Sequence, residues 1–385
     1  MTYYHKLGSI PQKRHTQFKK SDGSLYKEEL ISTIGFDSIL TNSYHINSPA
    51  KIEGIDNEVV TFKIHEWDSA TLRPYHFKTK GLERDGDFVT GRKVIMYNNE
   101  VLMSVCRPAN EMDYFYKNAS CDEVVFVHEG EGELQSQLGV LKYREGDYIV
   151  IPRGTISKFT SVKPARLLIF EAFGPITVPK RYRNEFGQFL EHSPYCERDI
   201  KVPDKLLTID EKGDFIVKVK KGMQMISVHY SFHPFDVIGW DGYWYPWIFN
   251  IEDFMPITGK VHMPPTVHQT FDGPGFVICS FCPRLLDYHP LAVPIPYNHS
   301  NIDADEMLYY VDGNFSSRKG VEYASISLHP DGIPHGPHPG TVEAALGKKE
   351  TLETAVMMDT FNPLKLTNWA KAFNDENYYL SWRES

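Results

Sequence analysis

Three side chains in the C-terminal half of this 385-residue chain have the types and spacing of a metal site. His299 and Glu306 lie in Pro296-Tyr297-Asn298-His299-Ser300-Asn301-Ile302-Asp303-Ala304-Asp305-Glu306, and His335 follows in Leu328-His329-Pro330-Asp331-Gly332-Ile333-Pro334-His335-Gly336-Pro337-His338. Two neutral imidazoles and one carboxylate on one side of an ion make the facial triad of non-haem Fe(II) sites, and they leave the other side open for a substrate and O2. A single histidine in an aromatic-rich chain is more often packed or solvated than ligating. The clustering weighs against that here, because nine of the sixteen histidines fall between Val228 and Pro339. Asp303 and Asp305 compete as the carboxylate, but both sit in a predicted turn and could simply be solvated. Glu306 opens Glu306-Met307-Leu308-Tyr309-Tyr310-Val311-Asp312-Gly313, which reads as a strand ending at a glycine turn and would hold a ligand more rigidly than a loop.

The elements that must position these groups are predominantly β. Aromatic residues make up 13% of the chain, and the 25 prolines and 27 glycines imply many turns between short strands. Candidate strands include residues 59–64, 93–97, 101–105, 123–129, 139–143 and 146–151, and the second half repeats the theme at 222–230, 276–281, 306–311 and 324–328. Many short strands at this spacing predict a β-sandwich or barrel. Residues 1–50 read as an extended arm with a short helix near Leu25–Ile34. The stretch from Asp199 to Gly222 is charged and is the expected junction, dividing the chain into a β-domain at 51–200 and a second at 201–385. The apolar spacing of Leu364, Trp369, Ala370 and Phe373 predicts a short C-terminal helix. Trp240, Tyr243, Trp244, Tyr245 and Trp247 form a dense aromatic block. It reads either as a filled core or contact surface, the favoured reading, or as an aromatic-ligand pocket.

Composition excludes several classes. A formal net charge of −9 with no basic block gives no nucleic-acid footprint. No run of about 18 apolar residues is present, so no membrane helix is expected. The N-terminus lacks an apolar signal core, and five cysteines form no paired framework, so a cytoplasmic location with reduced thiols is expected. Cys279-Ser280-Phe281-Cys282 matches CxxC but lies in what reads as one strand, where side chains three apart face opposite ways, so a redox or zinc role is disfavoured.

Gly146-Asp147-Tyr148-Ile149-Val150-Ile151-Pro152-Arg153-Gly154-Thr155 resembles the second motif of cupins, with Ser157 at the histidine position. Glu123 and the glycines after it resemble the end of the first motif, without the paired histidines before it. The resemblance implies a bicupin, an all-β-dominated fold of two jelly-roll barrels with a few short helices, whose N-terminal barrel has no metal.

Across most of its length the chain resembles the homogentisate 1,2-dioxygenase family, in its shorter bacterial form. The resemblance rests on residues 8–18, Ile151-Pro152-Arg153-Gly154, residues 234–242, Tyr245-Pro246, Asn250-Ile251, Asp253-Phe254, Pro296-Tyr297-Asn298-His299 with Glu306, Ser327-Leu328-His329, Pro334-His335-Gly336-Pro337 and Asp375-Glu376-Asn377-Tyr378. It implies Fe(II) held by His299, Glu306 and His335, with His335 also bordering the substrate. It further implies His262 as the histidine that contacts and deprotonates the substrate, His329 as a second histidine lining the site, and Asn301 as a nearby polar residue. The interval from His299 to Glu306 is one residue longer than in the longer members, so Asp305 fits on count and Glu306 fits on the strand that follows. Phe315 stands where those members carry a substrate-anchoring tyrosine, and Tyr309 or Tyr310 could replace it. The implied reaction is ring cleavage of homogentisate by O2 to maleylacetoacetate, in a homo-oligomer (trimer or hexamer). Two alternatives stand beside it: a dioxygenase for a related hydroquinone such as gentisate, and a non-catalytic bicupin that binds a small molecule. Arg284, Arg318 and Lys319 are candidates for holding a substrate carboxylate.

Overall fold

The computed structural model describes residues 3–383 apart from 264, 314 and 316. The chain is largely β-stranded. Its α-helices among the described residues are the short Thr341–Ala345 and Asn368–Phe373. None of its helices is long and apolar enough to cross a membrane. The second helix falls inside the segment where the apolar spacing predicts one. Thr367 caps it by accepting from the backbone N–H of Trp369 and Ala370.

The site is carried by a six-stranded sheet. Its strands are β1 (Tyr75–Phe77), β2 (Gln269–Gly273), β3 (Phe276–Phe281), β4 (Asp305–Asp312), β5 (Ile326–His329) and β6 (Thr354–Thr360), in the spatial order β2-β3-β6-β4-β5-β1. All its pairings are antiparallel. The β2–β3 hairpin turns at Pro274-Gly275, where Gly275 has φ +77°, a left-handed conformation that glycine adopts at low cost. Two eight-stranded sheets and a four-stranded sheet make up most of the rest.

Strand pairing corrects one expectation. Residues 27–32 form a strand rather than part of a helix. That strand pairs antiparallel with Leu40–His45. β-Branched residues lie near its end or just after it at Ile31, Thr33 and Ile34, and a ready partner decides the outcome. The arm closes a sheet of its own chain, since His5–Gly8 pairs with Val237–Gly242.

Strand pairing also runs across the expected division near residue 200. Lys212–Lys221 pairs with Phe115–Asn118, and Trp247–Asn250 pairs with Asp147–Ile151, so the first half's sheets run on to Asn250. The halves also exchange strands. β1 joins the site sheet, and Lys365–Leu366 joins an N-terminal one. No charged linker can mark such a boundary, because the backbone ladder is non-local.

The aromatic block is core except at Tyr243, which is exposed. Trp240, Trp244 and Trp247 are buried, and the Trp240 and Trp244 indoles donate to the carbonyls of Leu138 and Arg153. Burial of this kind is the largest favourable contribution to such a fold, roughly 25 cal/mol per Å² of apolar surface. Cys279 and Cys282 are free buried thiols, and burial pushes both upward from the ordinary thiol pKa, which leaves them protonated and unreactive.

Candidate metal centre

Glu306 is the second residue of β4 and faces His329 of β5 on one side and Asp359 of β6 on the other. The two remaining histidines come from the loops beyond the sheet. His299 and His335 form an isolated antiparallel bridge, each N–H donating to the other's carbonyl at 2.8 and 2.9 Å. A hydrogen-bonded pair of this kind sets two side chains next to each other on the same face, and the rings stand 4.3 Å apart. Gly336 permits the close approach: a Cβ there would lie 2.2 Å from Asn298 Oδ1 and 2.7 Å from Asn298 Cα.

The ligand atoms of His299, Glu306 and His335 lie within 4.8 Å of one another. His299 Nε2 is 3.7 Å from Glu306 Oε2, and His335 Nε2 is 3.6 Å from Glu306 Oε1. Those separations are too long for good hydrogen bonds. An ion with bonds of about 2.0–2.2 Å spans them. Both imidazoles are turned so that Nδ1 meets a carbonyl, His299 to Tyr297 at 3.1 Å and His335 to Ile333 at 3.3 Å. Donation from Nδ1 fixes the tautomer and leaves the Nε2 lone pair free, the arrangement metal-binding histidines use. His335 Nε2 is buried with no hydrogen-bond partner. A buried polar atom without a partner is costly, and here it points at two other donors. The residues therefore fit a divalent first-row metal.

The electrostatics agree. Burial would raise the Glu306 carboxyl, but His299, His329 and His335 around it hold it well below the usual carboxylate range. Asp359 moves the other way: burial first and then the charge of Glu306 push it up to about 7. His299 is raised by its proximity to Glu306. A dense pair of carboxylates beside neutral imidazoles favours a bound cation.

A cavity of about 120 Å³ opens beside the triad, comparable to the ~150 Å³ engineered cavity that takes up benzene. His299, Glu306, Leu308, Tyr310, Phe315 and Met357 are among the residues that border it. His262 lines it too, its ring 5.3 Å from that of Tyr297 and its Nδ1 4.0 Å from Asp287 Oδ2. Burial lowers the His262 pKa, with Asp287 opposing.

Other expected residues lie elsewhere. Asp305 is in the strand, not in a turn. Its carboxylate accepts from the backbone N–H of Asp331 at 2.9 Å and of Leu364 at 2.7 Å, on the face away from the triad. Tyr309 also points away and contacts His128 Nδ1 through its hydroxyl at 2.6 Å. Tyr310, one residue on, does face the cavity, and its hydroxyl is 2.8 Å from Ser327 Oγ. Strand alternation accounts for all three. His329 is wholly buried behind Glu306 rather than lining the cavity, with Nδ1 2.9 Å from Oε1 and Nε2 3.3 Å from the Tyr378 hydroxyl. Asn301 does not border the cavity. Arg318 borders it, but its Nη1 donates to the Gly336 carbonyl and its guanidinium lies over Trp382, so it supports the loop after His335. Lys319 donates to the Pro339 carbonyl at 2.6 Å on the surface. Sequence reasoning left Arg284 without a position and singled out neither His268 nor Asp359. Arg284 and His268 line the cavity, and Asp359 flanks Glu306.

In the N-terminal half, Glu123 is held by Arg92 through both oxygens at 2.9 Å and by Tyr116 and Asn118. Glu171 and Lys220 complete this buried network.

The homogentisate 1,2-dioxygenase N-terminal family matches residues 48–251 and the corresponding C-terminal family matches residues 256–385. A protein of Saccharolobus solfataricus named "Putative dioxygenase" is 42% identical over 390 aligned positions, covering 100% of both chains. The homogentisate 1,2-dioxygenases of Mus musculus and Homo sapiens are each 24% identical, over 86% of this chain and 80% of theirs. Among solved structures, a cupin 2 conserved barrel domain protein from Leptotrichia buccalis superposes with a TM-score of 0.34 at 10% identity, covering 79% of this chain and 100% of that one. Oxalate decarboxylase from Bacillus subtilis gives 0.35 at 10% identity, over 83% and 89%. Superpositions this loose carry no argument about function.

Proposed function

Because the chain belongs to the homogentisate 1,2-dioxygenase family, we propose that it is an Fe(II)-dependent ring-cleaving dioxygenase that converts homogentisate and O2 to maleylacetoacetate, a step of tyrosine and phenylalanine breakdown. The observation that carries the reading is the partnerless, buried Nε2 of His335 aimed with His299 Nε2 at Glu306, while His299 and Glu306, but not His335, border a ring-sized cavity. Two neutral imidazoles and one carboxylate suit Fe(II). When bound, the iron supplies the electron transfer between substrate and O2 that an amino-acid side chain cannot.

The side chains do the rest. Glu306 leaves a divalent ion with one net positive charge, which favours a deprotonated phenol. His262 faces Asp287 through Nδ1, so its Nε2 is the atom to take the phenolic proton, and burial keeps it neutral and ready to do so. Asp287 then stabilises the imidazolium. Leu308, Phe315 and Met357 hold the ring and exclude water. A homo-oligomer, trimer or hexamer, belongs to the same proposal, as does the bicupin arrangement of the two halves. Sedimentation would read the first.

A related hydroquinone such as gentisate is the second reading, and Phe315 on the cavity wall favours it, because no phenol is offered there to hold the homogentisate side chain. A non-catalytic small-molecule binder predicts no turnover at all. The test is to load the protein with Fe(II) without air, add homogentisate or gentisate, admit O2 and follow oxygen uptake with product absorbance. Stoichiometric uptake that disappears in His299→Ala and His335→Ala is expected. Iron binding without uptake on any hydroquinone would refute the proposal.

A further inference from the structure

A turn near the end of the chain, outside both the sheet and the ligand loops, lies against the metal centre. Tyr378–Leu380 form a single 3-10 turn, and the N–H groups of Ser381 and Arg383 continue it by donating to the carbonyls of Tyr378 and Leu380. The root of the turn is tied to β1 and its flanks. Asp375 donates its N–H to the His76 carbonyl at 2.8 Å, its carboxylate pairs with Lys78 at 2.8 Å, and Glu376 pairs with Arg73 at 3.0 Å.

From that root the turn reaches the loop that carries His335. Trp382 donates its indole N–H to the Gly336 carbonyl at 3.1 Å, and Arg318, stacked over the same indole, donates to that carbonyl too. The indole stacks on His338 with ring centres 4.1 Å apart and meets His329 edge-on at 6.2 Å. His338 accepts at Nδ1 from the Lys319 N–H at 3.1 Å, so its Nε2 carries the proton and donates to Ser381 Oγ at 2.7 Å. One turn thus grips residues 317–319 and 336–338 together. On its outer side, Tyr379 and Trp382 line a surface hollow that His335 also borders, yet the His335 side chain is only 1% exposed.

We propose that the turn Tyr378–Trp382 is a strap that holds His335 ready for the metal, with Trp382 and His338 as its positioning residues. The physical need for it lies in His335 Nε2, which is buried without a partner. Until an ion arrives, water is the natural partner of that atom, and the loop would gain by opening to admit it. The strap opposes that opening, so the metal-free protein keeps its imidazole in place and metal binding does not have to close the loop first. The proposal rests on the metal-centre reading of the triad and is independent of which ring is cleaved.

The test is anaerobic Fe(II) binding by competition with a chromophoric chelator, beside hydrogen exchange of the metal-free protein. Trp382→Phe keeps the stack and loses one neutral hydrogen bond, so it should raise the Fe(II) dissociation constant about two- to tenfold. Trp382→Leu loses the stack as well and should raise it about five- to a hundredfold. Hydrogen exchange at residues 333–338 should quicken in the same order, with exchange in the site sheet unchanged. A purely structural role would instead lower the denaturant midpoint of the metal-free protein and leave the dissociation constant at the wild-type value, and that result overturns the strap. If Trp382→Leu does not fold, Trp382→Phe carries the same comparison. Fe(II) uptake by the wild type that Trp382 does not control keeps the metal centre and refutes the strap. A wild type that takes up no Fe(II) refutes the metal centre and the strap with it.

Discussion

Replacing His329 should weaken metal binding without touching a ligand. Its side chain is fully buried, with Nδ1 2.9 Å from Glu306 Oε1. An ionised carboxylate only accepts, so Nδ1 carries the proton and Nε2 accepts from the Tyr378 hydroxyl at 3.3 Å. Burial drives the His329 pKa down to about 4, so the ring is neutral at working pH, and the bond is that of a neutral donor to a charged acceptor. Such bonds contribute about 1.5–3 kcal/mol, which at 1.4 kcal/mol per decade is roughly a tenfold to 150-fold change. Loss of outer-shell partners costs metal sites about 10- to 100-fold in affinity, so the two estimates agree. His329→Phe should therefore raise the Fe(II) dissociation constant by that factor, measured by anaerobic competition with a chromophoric chelator. His329→Gln, which can still donate, should recover part of it. An unchanged dissociation constant in a folded His329→Phe protein would refute the argument that this bond orients Glu306.

Three further outcomes follow from the geometry. His45 is buried between Asp236 at 2.8 Å and Glu29 at 3.2 Å; burial lowers its pKa, but the two carboxylates win and raise it to about 9. A folded pKa above the unfolded one adds stability that is complete below pH 6.5 and is lost as pH rises through about 9. Thermal unfolding of His45→Gln should accordingly lack the decline the wild type shows between those values. Tyr309→Phe should leave kcat/KM for any turned-over substrate unchanged while lowering stability by about 1 kcal/mol in denaturant titration, because its hydroxyl serves His128 on the far face. Gly336→Ala should abolish stoichiometric metal uptake in a chelator assay, since its methyl would collide with Asn298 backbone and separate the His299–His335 rung.

The triad was legible because its chemistry is local to two short segments, and three ligand types in order outweigh the ordinary fate of a lone histidine. More could have been read from strand alternation. Counting by two from Glu306 puts Leu308 and Tyr310 on its face and sends Asp305 and Tyr309 to the other, which settles the choice of tyrosine once Glu306 is taken as the ligand. His329 is a different case. A histidine near the site is visible in sequence, but its place behind Glu306 comes from the β4–β5 register. Arg284, Arg318 and Lys319 looked equivalent because a cation's place is set by tertiary packing: each contacts a nearby carbonyl, Arg284 and Arg318 also border the cavity, and Lys319 lies on the surface. His268 gave only the weak signal of a second histidine six residues past His262. The pairing across residue 200 was hidden for the same reason as the strand exchange, since ladders join segments more than a hundred residues apart.

The site's order comes from one rung of the sheet. Val277, Asp359, Glu306 and His329 stand opposite one another across β3, β6, β4 and β5, so they share a face at strand spacings of about 4.8 Å. Glu306 thus has a hydrogen-bond donor on one flank and a second carboxyl on the other. The donor fixes one oxygen, the neighbouring carboxyl disfavours tilting towards it, and the remaining direction is outward, to the Nε2 atoms of His299 and His335. Those two imidazoles are not sheet residues. They are held by a two-residue backbone bridge that Gly336 allows to close, with each Nδ1 tied to a carbonyl two residues earlier in its own loop. The carboxylate is therefore placed by the ladder and the imidazoles by a clasp, and the ligand set depends on both being in register. A one-residue slip of β4 would present Asp305 in place of Glu306 and turn the correct side chain to the opposite face.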